Sequence, residues 1–224
     1  MAYFCTSWSG GKDAALATYL YQQQGHTLCA VITLMQEDGV YSRAHLAHQS
    51  LFDCQAKALK VPLIAECVTE DYACAYQKAL SQAQKIESKL NTVILGDIDL
   101  QAHKDWQSQQ AQRSGLIAEF PLWQQAHSAI IQQLNALGFR MQIIAIQSER
   151  LSDDFLGREL NTECIEALEA LNIDPCAESG EFHTAVIAAP NFAFEIQLHC
   201  DYAGIYSGEY GMRYLPFKAE CVNG

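Results

Sequence analysis

The sequence predicts an α/β fold, a doubly wound parallel sheet followed by a smaller C-terminal α+β subdomain. Three observations carry this. From Tyr3 to about Ser148, short apolar runs alternate with helical stretches of about 10–15 residues, the pattern of βαβ units. A glycine-rich turn stands directly after the first apolar run and before the first helical stretch. The final third then loses the alternation and becomes rich in Gly, Pro and aromatic residues.

Taken in order, Tyr3 to Trp8 reads as a buried strand, and Lys12 to Gln23 as a helix with Ala15, Leu16, Tyr19 and Leu20 on one face. Gly25 ends that helix. Leu28 to Leu34 is a second strand and Leu46 to Leu59 a second helix. Pro62 to Val68 is a third strand, Asp71 to Lys89 a long helix and Thr92 to Gly96 a fourth strand. Gln101 to Ser114 is helical, Leu116 to Phe120 a short strand and Trp123 to Leu137 helical. Arg140 to Ile146 is expected to complete the parallel series. The domain division is accordingly placed at 1–148 and 149–224. The second unit has one clear helix, Thr162 to Leu171, and strands at Ala185 to Ala188 and Phe194 to Leu198. The glutamine clusters (Gln22 to Gln24, Gln109–Gln110, Gln124–Gln125) read as solvated helix faces, and Trp106 and Trp123 as core.

Composition narrows the partners. The 224 residues carry 14 Lys and Arg against 26 Asp and Glu, a formal net charge of -12. That field repels a polyanion, and no run of Lys or Arg builds a patch against it, so no nucleic acid is expected. No stretch approaches the roughly 20 apolar residues of a membrane helix, and the short apolar start lacks a basic leader, so no membrane partner and a cytoplasmic location are expected. The nine cysteines include no C-x-x-C pair, which argues against a zinc or disulfide framework. Most read as small buried hydrophobes. Cys176, close to Glu178, is the exception worth following.

The chemistry begins at Ser9-Gly10-Gly11-Lys12-Asp13. A helix N-terminus presents unpaired N–H groups and a partial positive charge, which suits phosphate. Glycines let the backbone approach the ligand and take positive φ. Ser7 and Ser9 add hydroxyls, and Lys12 a point charge. The loop also lies at the carboxyl end of a strand, where open α/β sheets bind ligands. G-x-x-x-x-G-K-[ST] and G-x-G-x-x-G are both absent. What remains, S-G-G-x-D, resembles the PP-loop of ATP pyrophosphatases. The usual closing Ser or Thr is Ala14 here, so one phosphate-contacting hydroxyl is missing.

Further segments extend the resemblance. Gly96-Asp97-Ile98-Asp99 follows the fourth strand, with His103 and Trp106-Gln107 after it. Phe155-Leu156-Gly157-Arg158-Glu159-Leu160 and Glu178-Ser179-Gly180-Glu181-Phe182-His183-Thr184 come later. In this order the motifs resemble the diphthine–ammonia ligase family, over essentially the whole chain. The resemblance implies an ATP-dependent, AMP-forming amide ligase that adenylates a carboxylate, either protein-bound diphthine or a small molecule, and passes ammonia or an amine to it. It implies ATP and Mg2+, with ATP held by Ser7, Ser9, Gly10, Gly11, Lys12, Asp13, Thr33, Leu34 and Gly96. The adenine is placed near the backbone of residues 33–35. Lys12, Glu178, Glu181 and His183 are the catalytic candidates, and Asp97, Asp99, His103 and Arg158 the acceptor-binding ones. Asp13 is a candidate Mg2+ ligand or a helix cap, and Arg158 with Glu159 an alternative structural ion pair.

Within the resemblance, the later motif departs from the family at its last position, where His183 replaces an acid. An imidazole can be neutral, donate and ligate metal. The departure falls in the acceptor region and points to a changed acceptor. Asp97, Asp99, His103, Glu178, Glu181 and His183 are expected to converge on one pocket facing the loop. A nucleotide sensor without turnover and a tRNA-modifying PP-loop enzyme stay open as alternatives. So does a homodimer.

Overall fold

The computed structural model describes residues 1–69 and 71–222; the last two residues of the expected second unit, 223 and 224, lie outside them. Five parallel strands, β1 (Tyr3–Ser7), β2 (Thr27–Met35), β3 (Leu63–Cys67), β4 (Leu90–Ile94) and β5 (Ile117–Glu119), form one sheet in the order β3-β2-β1-β4-β5. Helices α1 (Lys12–Gln23), α2 (Gln49–Leu59), α3 (Tyr72–Ile86) and α4 (Gln101–Arg113) connect them. Alternation within β1 divides the faces. Phe4 shares a core with Ala15 and Leu16 of α1 and Leu51 and Phe52 of α2. Its neighbour Cys5 points the other way, to Ala79 and Leu80 of α3 and Ala111 of α4. The sheet is therefore covered on both faces, as all-parallel sheets require.

The order reverses at β1, whose neighbours are β2 and β4. Their carboxyl ends open a crevice there, and the glycine loop leaves β1 into it.

The remainder holds α5 (His127–Ala136), β6 (Arg140–Gln147), α6 (Thr162–Ala170), β7 (Phe182–Ala188), β8 (Ile196–Cys200), β9 (Tyr206–Ser207), β10 (Met212–Tyr214) and β11 (Phe217–Cys221). Strand β6 does not complete the parallel series. It pairs antiparallel with β7 and β10 in a second sheet ordered β7-β6-β10-β9, while β8 and β11 form an antiparallel pair. A mostly apolar strand reads the same in either orientation, so the sequence pattern alone did not separate the two. The helix expected from Trp123 starts only at His127, after Gln124 takes a left-handed conformation (φ 57). Most of the glutamine clusters are at least partly solvated, but Gln110 is buried and accepts from Gln77.

The main core is continuous from the first sheet into the second, through Ile130 of α5 and Met141, Ile143, Ile146 and Val186 of β6 and β7. One cross-sheet bond has direct bearing on the site: the Val186 N–H donates to the carbonyl of Gly10 at 2.9 Å. The second sheet thus rests on the glycine loop.

Candidate functional site

The loop is shaped by two glycines. Gly10 sits at φ 80, where a side chain is strained. Gly11 precedes the first helical residue with no side-chain cap of its own. A Cβ on Gly10 would stand 3.0 Å from Phe52 and 3.1 Å from Leu51, and one on Gly11 3.2 Å from His45. Beneath the loop, the fully buried Gln55 accepts from Trp8 Nε1 at 2.7 Å. Its Nε2 donates to the carbonyls of Gly10 (3.0 Å) and Val186 (2.8 Å). Ser9 Oγ accepts from the Gly11 N–H at 3.3 Å. Thr184 Oγ1 of β7 accepts from the Lys12 N–H at 3.2 Å. One of the loop donors expected to face phosphate is therefore taken by the second sheet.

Lys12 is 5% exposed, and its Nζ lies 2.7 Å from Asp13 Oδ2. Burial works against its charge, but Asp13, Cys176 and Glu178 outweigh burial and hold the ammonium above its usual range. Gly96 closes the other side. A Cβ there would meet Ala14 N at 2.7 Å and Asp13 C at 2.8 Å, so β4 packs backbone to backbone against the start of α1.

Around the loop lies a cavity of ≈ 320 Å³. Of the nucleotide-binding residues expected, Ser7, Ser9, Asp13, Thr33, Leu34 and Gly96 line it, with Ala14 beside them. Gly10, Gly11 and Lys12 stand behind that surface. The lining includes three acids, Asp13, Asp97 and Glu178, and no Lys or Arg. Three of its residues carry a buried polar atom without a partner among the described residues: Asp13 Oδ1, His45 Nδ1 and Gln107 Oε1. Such atoms are costly unless a ligand satisfies them.

The remaining candidates divide. Asp97, His103 and Glu178 line the cavity, and Asp97 Oδ1 is 3.1 Å from His103 Nδ1. Glu178 has its carboxyl pushed up to about 7, by burial first and then by Asp13. Asp13, Cys176 and Glu178 bring one ligand atom each within 4.8 Å of one another. Cys176 is fully buried, and burial pushes its thiol up to about 12, so it stays protonated. Asp99 turns away, to Nε2 of His127 at 3.3 Å, whose other nitrogen bonds Asp174.

Glu181 and His183 do not line the cavity. Glu181 is 3% exposed, with Arg150 at 3.7 Å from Oε1 and no partner on Oε2. His183 stands behind the wall, its ring stacked at 4.3 Å on His45, which does line the cavity. Burial and Lys12 lower His183 to about 4. Burial, His183 and Lys12 lower His45 well below its ordinary value. Both imidazoles are neutral at pH 7. The expected convergence of six residues thus holds at the cavity for Asp97, His103 and Glu178 only.

Arg158 lies outside the cavity lining, over the ring of Phe155 at 4.9 Å. It does not pair with Glu159, which takes Arg140 instead (2.9 Å), because β6 runs antiparallel and brings Arg140 alongside. Asp13 is not the helix cap: the N-cap position is Gly11, and the Asp13 carboxylate takes Lys12 Nζ on Oδ2. Sequence reasoning missed His45, Gln107 and Tyr72 as cavity residues, and Gln55 and Thr184 as supports of the loop. His45 lies between β2 and α2, in a segment with no periodic pattern. Gln107 falls in the Trp106-Gln107 segment of the resemblance, which gave it no role, and Gln55 is a polar position within a helix with no motif around it.

A solved structure described as a predicted subunit of tRNA methyltransferase from Methanocaldococcus jannaschii is similar over 84% of this chain and 98% of its own, at 15% identity and a TM-score of 0.45. No curated protein matches the chain. The diphthamide synthase N-terminal domain matches residues 4–118, which hold the parallel sheet and the glycine loop. The diphthamide synthase C-terminal domain matches residues 127–215, which hold the second sheet and the Glu178–Thr184 motif. The chain belongs to the diphthamide synthase family.

Proposed function

We propose that this protein is an ATP-dependent, AMP-forming amide ligase, which adenylates a carboxylate and passes ammonia or an amine to it. The observation that carries this reading is the glycine loop at the carboxyl end of β1, opening α1 beside a cavity, in a chain of this family. A leaving pyrophosphate needs its developing charge stabilised. The N–H groups at the start of α1 beyond those of Gly11 and Lys12, which Ser9 and Thr184 take, and the Lys12 ammonium on turning from Asp13 would supply that. The seryl hydroxyls of Ser7 and Ser9 reach the same space.

Mg2+ fits the donor set in part. Asp13 Oδ1 and the Glu178 carboxylate are hard oxygen ligands, and Asp13 Oδ1 lacks a partner. Cys176 is a soft ligand and does not belong to a Mg2+ shell. The cation would neutralise phosphate charge in a cavity that lines itself with acids. Where Glu178 does not hold the cation, burial and Asp13 push its carboxyl up to about 7, which suits proton exchange with an incoming amine. His183 in place of an acid, neutral and reaching the cavity only through its stack on His45, supports an acceptor other than diphthine. The Thr184 bond to Lys12 N–H and the absence of a hydroxyl at Ala14 favour a second reading, a nucleotide sensor without turnover.

Incubation with ATP, Mg2+, ammonium and a panel of carboxylates distinguishes the two. The ligase gives AMP and pyrophosphate dependent on both acceptor and ammonium, lost in Lys12→Ala. The sensor binds ATP and gives neither product with any acceptor.

A further inference from the structure

Resting on the ATP reading above, we propose that Gln107 recognises the base, so that the site prefers an amino-purine nucleotide to one carrying a carbonyl at the same ring position. Gln107 stands on α4 and lines the cavity that also holds Ser7, Ser9 and Asp13 of the loop region. It also lines an adjoining hollow of ≈ 290 Å³ whose other walls are Tyr72, His103 and Trp106. Tyr72, His103 and Gln107 are common to both, so the two hollows adjoin at these side chains. The walls are planar or apolar. Tyr72 leans on Trp106 at 5.5 Å between centroids, and Ile32 and Leu34 at the end of β2 supply the aliphatic surface. Flat walls of this kind suit a stacked base.

The second observation is polar. Gln107 Oε1 is buried and has no hydrogen-bond partner among the described residues. A buried amide oxygen without a donor points to a ligand donor that satisfies it. The other groups on these walls do not duplicate its role: His103 is engaged by Asp97, and no Lys or Arg lines the space among the described residues. An amino-purine presents an exocyclic N–H beside N7, a ring nitrogen that is bare in either purine. A glutamine carboxamide presents the complementary oxygen and N–H, and can engage both at once. A purine with a carbonyl at that position turns an acceptor toward Oε1 instead.

The test is equilibrium binding of ATP and ITP, each with Mg2+, to wild type, Gln107→Leu and Gln107→Met by titration calorimetry. Wild type is expected to prefer ATP by about tenfold or more, the scale of one bidentate amide–base pair. Both variants are expected to lose that preference while still binding nucleotide through the loop. Gln107→Met keeps the length of the side chain, so it carries the test if Gln107→Leu fails to fold. Equal affinity of wild type for ATP and ITP, or a preference preserved in a folded variant, overturns the assignment of Gln107 and leaves the ATP reading standing. Absence of binding of either nucleotide to folded wild type overturns the ATP reading, and this proposal with it.

Discussion

The Gln55 carboxamide donates to the Gly10 carbonyl at 3.0 Å and so holds the glycine loop from below. The same nitrogen reaches Val186 O, and the oxygen takes the Trp8 indole N–H. One buried side chain therefore ties the loop, α2 and β7 together. Gln55→Leu strands the Trp8 N–H in a buried place and removes a donor from two carbonyls. The expected loss is about 2–4 kcal/mol, read as a lower urea midpoint. A loss under 0.5 kcal/mol, roughly a surface substitution, would contradict the role given to Gln55.

Gly96 faces the backbone of Asp13 and Ala14, and backbone cannot rotate away as a side chain can. Gly96→Ala is expected to push the start of α1 outward, costing about 1–3 kcal/mol. Nucleotide affinity should fall at least tenfold, roughly 1.4 kcal/mol, at a temperature where the variant is folded. Calorimetric titration checks this, and unchanged affinity would refute the close packing.

Glu178 is raised from the usual carboxylate range to about 7. The folded state therefore binds its proton more tightly than the unfolded state does, and stability from this group is lost as pH rises from about 4.5 to 7. His127 adds a loss of the same sign. Burial opposes its charge, but Asp174 and Asp99 raise its pKa, so its contribution fades as pH rises through the folded value. The difference between wild type and Glu178→Gln isolates the carboxyl. In melting experiments Glu178→Gln should gain Tm relative to wild type on passing from pH 5 to pH 8. A constant difference would show that Glu178 titrates normally.

His45 and His183 act in the opposite sense. Their folded values lie below the unfolded value of 6.5, so their contribution is intact above 6.5 and is lost as pH falls toward 4. His183→Phe keeps a ring against His45 and removes one titrating group. It should flatten the fall in Tm between pH 6.5 and 4.5 while leaving Tm at pH 7.5 within a few degrees, roughly 1 kcal/mol or less. An unchanged acid limb would contradict a neutral, buried His183.

The parallel sheet was legible because each strand is a short apolar run followed by an amphipathic stretch, and β1–loop–α1 has its own glycine signature. The second sheet was less so. Strand β6 is as apolar as β4, and only its partner decides its direction. Strands β9 and β10 have two and three residues, too short for a period to register. Most residues expected at the nucleotide reach the cavity, because they sit at strand ends whose position the sheet dictates. Arg158 and Glu181 do not, since their placement depends on antiparallel pairings and turns in the second sheet. His45, Gln55 and Gln107 act through tertiary contacts, to β7, to the loop and to the cavity, that leave no local trace in the sequence.

The central claim is cleavage of ATP between its α and β phosphates at the glycine loop. It is tested most directly by following ATP labelled in the α phosphate with Mg2+, ammonium and a carboxylate acceptor. Label appearing as AMP, with equal pyrophosphate and none of it in Lys12→Ala, is the expected result. Label appearing as ADP, or AMP formed equally by Lys12→Ala, would contradict the claim.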